Sequence, residues 1–177
     1  GGDSGDNAYV VLKHPAAAAL DTTAVLDGVT ITAARGSYLQ SADVTYQGVT
    51  FAACAASSGG AVDALASNAA FRDCRFVANR CDTDGGAVRA MSNSSLTMER
   101  CLFRGNSAGS EGGAVHLNLA NVQALDCVFV NNTSVASGGA MRAEMATATS
   151  LTNCSFAGNV APSGACLATN AAWGTAA

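Results

Sequence analysis

No stretch of this chain approaches the roughly 20 consecutive apolar residues that a spanning helix needs, and the run Ala16 to Leu20 stops at Asp21. A membrane-spanning helix within it is not expected. Positive charge is also scarce: 9 Lys and Arg face 13 Asp and Glu, for a net charge of −4 and a pI near 4.9. That balance gives no global attraction to nucleic acid or an anionic membrane. Histidine occurs only at 14 and 116. Gly2-Asp3-Ser4-Gly5 imitates a trypsin-like nucleophile segment and Gly105-Asn106-Ser107-Ala108-Gly109 imitates the hydrolase elbow, yet neither finds a credible His-Asp/Glu set. With no Cys-x-x-Cys and no His pair, zinc is not expected. Gly1 to Asp6 resembles one imperfect copy of the calcium-binding nonapeptide repeat, which cannot form a stacked site alone. The expectation is a chain with no catalytic residue, no metal and no cofactor.

Charged residues are only 12% and prolines only 2, whereas glycine reaches 19 and the 49% apolar share is swollen by alanine. Small side chains of this kind suit thin, tightly stacked layers. Helical periodicity of 3.6 residues is missing throughout. A longer period is plain. Phe recurs at 51, 76, 103, 129 and 156, in steps of 25, 27, 26 and 27 residues. Gly59-Gly60, Gly85-Gly86, Gly112-Gly113, Gly138-Gly139 and the reduced Ser163-Gly164 follow in step. An earlier, degenerate copy aligns Ala24 to Ile31 with Val44 to Phe51 and lacks the Gly pair.

Apolar residues alternate within each copy, as in Val44/Tyr46, Ala69/Phe71, Leu96/Met98, Val122/Ala124 and Thr149/Leu151. The parity then shifts by one residue, which implies a corner, and Cys74, Cys101, Cys127 and Cys154 pair with the Phe two residues on. A third alternating stretch carries Val62, Val88, Val115, Met141 and Cys166. The pattern predicts an all-β fold: a right-handed parallel β-helix, or solenoid, of about six coils with three short strands per coil. At the usual inter-strand rise of about 4.8 Å per coil, the rod is roughly 30 Å long. The reading divides the chain into an N-terminal irregular coil at 1–22, regular coils at 23–168 and a tail at 169–177. A cut start at Gly1 and open terminal coils suggest a piece of a longer protein.

Each column has a structural role to fill. The Phe column fills a narrow interior, and the Gly pairs supply positive φ at a corner. Asn79, Asn106, Asn132 and Asn159 stand three residues after a Phe, where a stacked amide ladder can satisfy a turn. Cys74, Cys101, Cys127 and Cys154 read as buried free thiols, because in-register strands aim their Cβ atoms alike. Cys54 and Cys81 form the best disulfide candidate. The outward column Asp73, Arg100, Asp126, Asn153 reads as ladder ion pairs. Arg89, His116 and Arg142 form a candidate interaction face for an acidic partner.

Phe-x-x-Asn at 76–79, 103–106, 129–132 and 156–159, alternating with Gly-Gly-Ala-Val or Gly-Gly-Ala-Met at 59–62, 85–88, 112–115 and 138–141, resembles the repeat of the chlamydial polymorphic outer-membrane proteins. Similar repeats look at home in algal and protist surface proteins. The resemblance covers roughly residues 44 to 168 and implies a β-helical, surface-displayed role in adhesion. Seven cysteines and four Asn-x-Ser/Thr sites favour a secreted context, with Asn93 and Asn131 as glycan acceptors. The expected function is a non-catalytic extracellular scaffold or adhesive stalk module at a cell surface, meeting a protein or glycan partner. One alternative is a building block that self-assembles into an extracellular filament. Another is a polysaccharide lyase or hydrolase of β-helix type. No nucleic-acid partner is expected.

Overall fold

In the computed structural model the described residues are 12–14, 24–146 and 148–169. Among them every strand pairs in parallel with its counterpart one coil away, and no helix occurs. A seven-stranded valine sheet runs through Val62–Leu65, Val88–Met91, Val115–Asn118 and Met141–Glu144, with Leu12–His14 and Leu167–Thr169 at its ends. A six-stranded second sheet contains Asn68–Arg72, Ser95–Glu99 and Asn121–Leu125. The six-stranded phenylalanine sheet contains Arg75–Val77, Leu102–Arg104 and Val128–Val130. The degenerate copy joins in the expected register, Leu26 over Tyr46 and Ile31 over Phe51.

The three expected strands per coil are joined, in four of the coils, by a short fourth one. A fourth, four-stranded corner sheet is built from the two-residue strands Ala55–Ala56, Arg80–Cys81, Ser107–Ala108 and Thr133–Ser134. Two residues are too few to display an alternation, so this sheet leaves no periodic trace. Within the stretch 1–22, Leu12–His14 forms a strand paired with Tyr38 and its neighbours, and the last described strand is Leu167–Thr169. The motifs at Gly1–Gly5 and Gly1–Asp6 lie outside the described residues.

Alternation and stacking build the core together. Within Ser95–Glu99, Leu96 and Met98 point inward and are fully buried. Leu96 sits over Ala69 and under Val122, and Met98 over Phe71 and under Ala124. The parity shift occurs at Asp73, Arg100, Asp126 and Asn153, which adopt φ of 53°, 51°, 55° and 51°. One left-handed residue turns the chain and brings the next Cys inward. The Phe rings stack nearly face to face at 5.0, 4.5, 4.7 and 4.9 Å from Phe51 to Phe156.

The two glycines of each pair answer different demands. Gly112 has φ of +64°, a conformation costly for residues with a Cβ. Gly113 has ordinary φ, but a Cβ there would lie 2.0 Å from the Gly139 carbonyl oxygen and 2.6 Å from that of Thr133. Backbone on both sides cannot yield. Gly113→Ala is therefore expected to lower stability by about 2 to 3 kcal/mol through overpacking, read from urea unfolding. An unchanged midpoint would show that the coils are farther apart.

Candidate functional site

The Asn ladder closes the corner between the phenylalanine and corner sheets. Asn106 Nδ2 donates to the Phe76 carbonyl at 3.0 Å and to Asn132 Oδ1 at 2.9 Å. Its own Oδ1 accepts from the Asn79 backbone N–H and side-chain amide, both at 3.0 Å. Asn79, Asn132 and Asn159 repeat this pattern, with the Cys54 backbone N–H bonding Asn79. All four are buried. Every amide is committed to structure, so Asn132 has no amide to offer a glycan. Asn93 and Asn131 are exposed and have φ of 67° and 54°.

All seven cysteines are free thiols. In the expected column, Cys74, Cys101, Cys127 and Cys154 each point Sγ at a carbonyl of the preceding coil, those of Tyr46, Phe71, Met98 and Ala124. Cys101 lies between Cys127 and Cys74, and their hydrogen bonds together with burial push its thiol up. The expected disulfide between Cys54 and Cys81 is corrected by the register. Cys81 pairs with Ala56, whereas Cys54 lies against Asn79. Burial pushes both thiols up, that of Cys81 to about 11. Pulse alkylation of the native protein is expected to label exposed Cys166 first and Cys154 next, and to reach the five buried thiols only on unfolding. Rapid labelling of Cys101 would contradict the ladder.

The outward ladder of the second corner is paired. Arg100 spans Asp73 at 2.7 Å and Glu99 beside it, while Gln47 donates to Asp73 at 2.9 Å. Hydrogen bonds from Arg100 and Gln47 hold the Asp73 carboxyl below its usual range. Asn153 donates to Asp126.

On the valine sheet the register stacks Asp63, Arg89, His116 and Arg142 as one outward column. A second outward column, in the loop before the Gly pair, aligns Asp84, Glu111, Ser137 and Ser163. The two columns meet. Arg89 grips Asp63 through two bonds of 2.8 and 2.7 Å. Arg142 bonds Glu144 at 2.6 Å and lies 3.4 Å from Glu111. His116 is only 4% exposed, with Nε2 3.7 Å from Glu111 and 3.9 Å from Glu144. Burial holds its imidazole below the ordinary value, against the opposing pull of Asp84, Glu144 and Glu111. The expected basic face of Arg89, His116 and Arg142 is thereby corrected. Carboxylates of the same chain already occupy both arginines, and the histidine is buried.

Coaxial parallel sheets, a stacked aromatic and amide interior, and an outer surface whose charges pair from coil to coil define a parallel β-solenoid. A family model described as right handed beta helix region matches residues 16–172, most of the chain. The chain belongs to this right-handed β-helix family. No curated protein matches it, and no solved structure does.

Proposed function

We propose that the chain is a non-catalytic scaffold or adhesive stalk module displayed outside the cell, of the type suggested by its resemblance to the polymorphic outer-membrane protein repeat. The observation that carries this reading is the commitment of the repeated polar columns to coil-to-coil bonding, from the Asn ladder to Asp63–Arg89 and Asp73–Arg100. Side chains spent on stacking build a stiff rod. The outward side of the second sheet, by contrast, offers small polar groups along a shallow groove through Asp43, Thr45, Asn68, Ser95 and Thr97. Such a surface suits a glycan or an extended protein segment, and exposed Asn93 and Asn131 suit glycan attachment.

A second reading, a polysaccharide-cleaving enzyme, is favoured among the described residues by the His116, Arg142, Glu111 and Glu144 cluster, where an acid, a base and a cation meet. A cleavage screen on pectin, alginate and glycosaminoglycans separates the readings. The scaffold reading expects no turnover, with retention on a glycan or cell-surface matrix that Thr97→Arg weakens. Turnover abolished by Glu111→Gln or Asp126→Ala would overturn it. Sedimentation of the full-length protein then divides a monomeric stalk from a self-assembling filament block.

A further inference from the structure

Among the described residues, Asp84, Glu111 and His116 bring one donor atom each to within 4.8 Å of one another. Asp84 comes from the loop of one coil, Glu111 from the same loop position of the next, and His116 from the strand that follows Glu111. Zinc-type bonds of about 2.0 to 2.2 Å put neighbouring donors roughly 3 to 4 Å apart. A small contraction of the cluster reaches that spacing.

The carboxylates are already oriented. Asp84 Oδ1 accepts the Glu111 backbone N–H at 3.1 Å, and Glu111 Oε1 accepts the Ser137 hydroxyl at 2.6 Å. One oxygen of each is thereby fixed, the arrangement by which outer partners aim metal-binding carboxylates. Glu111 Oε2 has only longer contacts, to Arg142 Nε at 3.4 Å and His116 Nε2 at 3.7 Å.

The imidazole supplies the independent indication. His116 is buried, its Nδ1 has no hydrogen-bond partner, and its Nε2 stands 3.7 and 3.9 Å from carboxylate oxygens, beyond hydrogen-bonding reach. A buried imidazole without such bonds is costly unless something else engages it. Gly112 packs close to the root of this side chain, since a Cβ there would come 2.9 Å from His116 Cβ. Four carboxylates, of Asp63, Asp84, Glu111 and Glu144, stand against the two arginines Arg89 and Arg142, so the locality favours a cation.

We infer that Asp84, Glu111 and His116 bind one divalent cation of the zinc type, which ties two successive coils together at the loop edge of the valine sheet. The imidazole donor selects a borderline ion over calcium or magnesium, whose ligands are oxygens. Three protein ligands leave a fourth position for solvent or for an acidic group of a partner. Arg142 remains on Glu144 and competes with the ion for Glu111. The site is independent of the scaffold reading: a rod without an ion is still a rod, and an ion without turnover leaves the rod in place.

The test is calorimetric titration of the chelator-treated chain with Zn²⁺ and with Ca²⁺, joined to the visible spectrum of the Co²⁺ form. Expected are one equivalent of Zn²⁺, far weaker Ca²⁺ binding, a raised Tm, and a Co²⁺ spectrum without a thiolate charge-transfer band. Glu111→Gln and His116→Gln should each weaken Zn²⁺ by more than about tenfold, and Ser137→Ala by about tenfold. Arg142→Gln should tighten it. Anomalous diffraction from zinc-soaked wild-type crystals reads the site without any substitution, whatever the variants' folding. No Zn²⁺ binding by the wild type, undiminished binding in both ligand variants, a thiolate band, or anomalous density away from Glu111 and His116 would each overturn the assignment.

Discussion

Phe103→Ala is expected to lower stability by about 4 kcal/mol, toward the upper end of what a core truncation costs. Phe103 is fully buried and is sandwiched between Phe76 at 4.5 Å and Phe129 at 4.7 Å, with ring planes within 3° of parallel. Truncation removes the ring and exposes a face of each neighbour, while main-chain pairing to both adjacent coils prevents the stack from closing the gap. Collapse is the usual relief for a cavity, and a solenoid cannot supply it without breaking strands. Phe103→Leu, which refills part of the space, should recover more than half of the loss. Urea midpoints of the three proteins measure this. A Phe103→Ala loss below about 1.5 kcal/mol would mean that the column is not a packed interior.

Asn106→Ala is expected to cost a similar amount by a different route, about 3 to 5 kcal/mol. The amide makes four bonds in a buried corner, and its removal leaves the Phe76 carbonyl and the Asn79 backbone N–H without those partners. Each orphaned buried group costs about 1 to 3 kcal/mol, and a linked ladder tends to exceed the sum of its pairs. Asn106→Asp distinguishes hydrogen bonding from shape. The carboxylate keeps the volume and the acceptors but lacks the donor that reaches Phe76 and Asn132, so it should fail almost as badly. If Asn106→Asp were as stable as the wild type, shape alone would explain the column. Hydrogen exchange should show the loss centred on the coils of Asn79 and Asn132, because each coil of a solenoid contacts only its neighbours.

The columns were legible because a solenoid applies one rule to every copy. An inward residue meets its own counterpart one coil away, so Phe76, Phe103 and Phe129, or Leu96 and Val122, repeat in the sequence as they stack in space. The turn chemistry was legible at the Asn column for the same reason. Other features depend on contacts that a column does not reveal. Gly113 looks like Gly112 in the sequence, yet its requirement comes from the Gly139 carbonyl on the next coil. The Cys54–Cys81 pairing failed because the two-residue corner strand sets Cys81 over Ala56. The basic reading of Arg89, His116 and Arg142 failed because Arg89 is held by Asp63 of its own column, while the carboxylates at His116 and Arg142, those of Glu111 and Glu144, lie in other columns. No spacing motif joins a strand histidine to loop carboxylates on two different coils. The near-neighbour signal available was the pair Asp84 and Glu111, each directly before a Gly pair.

The account rests on like side chains standing over like. An experimental crystal structure at a resolution that places side chains tests this most directly, through the separation of the Phe76, Phe103 and Phe129 rings. The expected result is successive centroids 4.5 and 4.7 Å apart with nearly parallel planes, on strands paired Phe76 to Phe103 and Phe103 to Phe129. Rings separated by more than one coil, or strands paired in a register shifted by one residue, would contradict it.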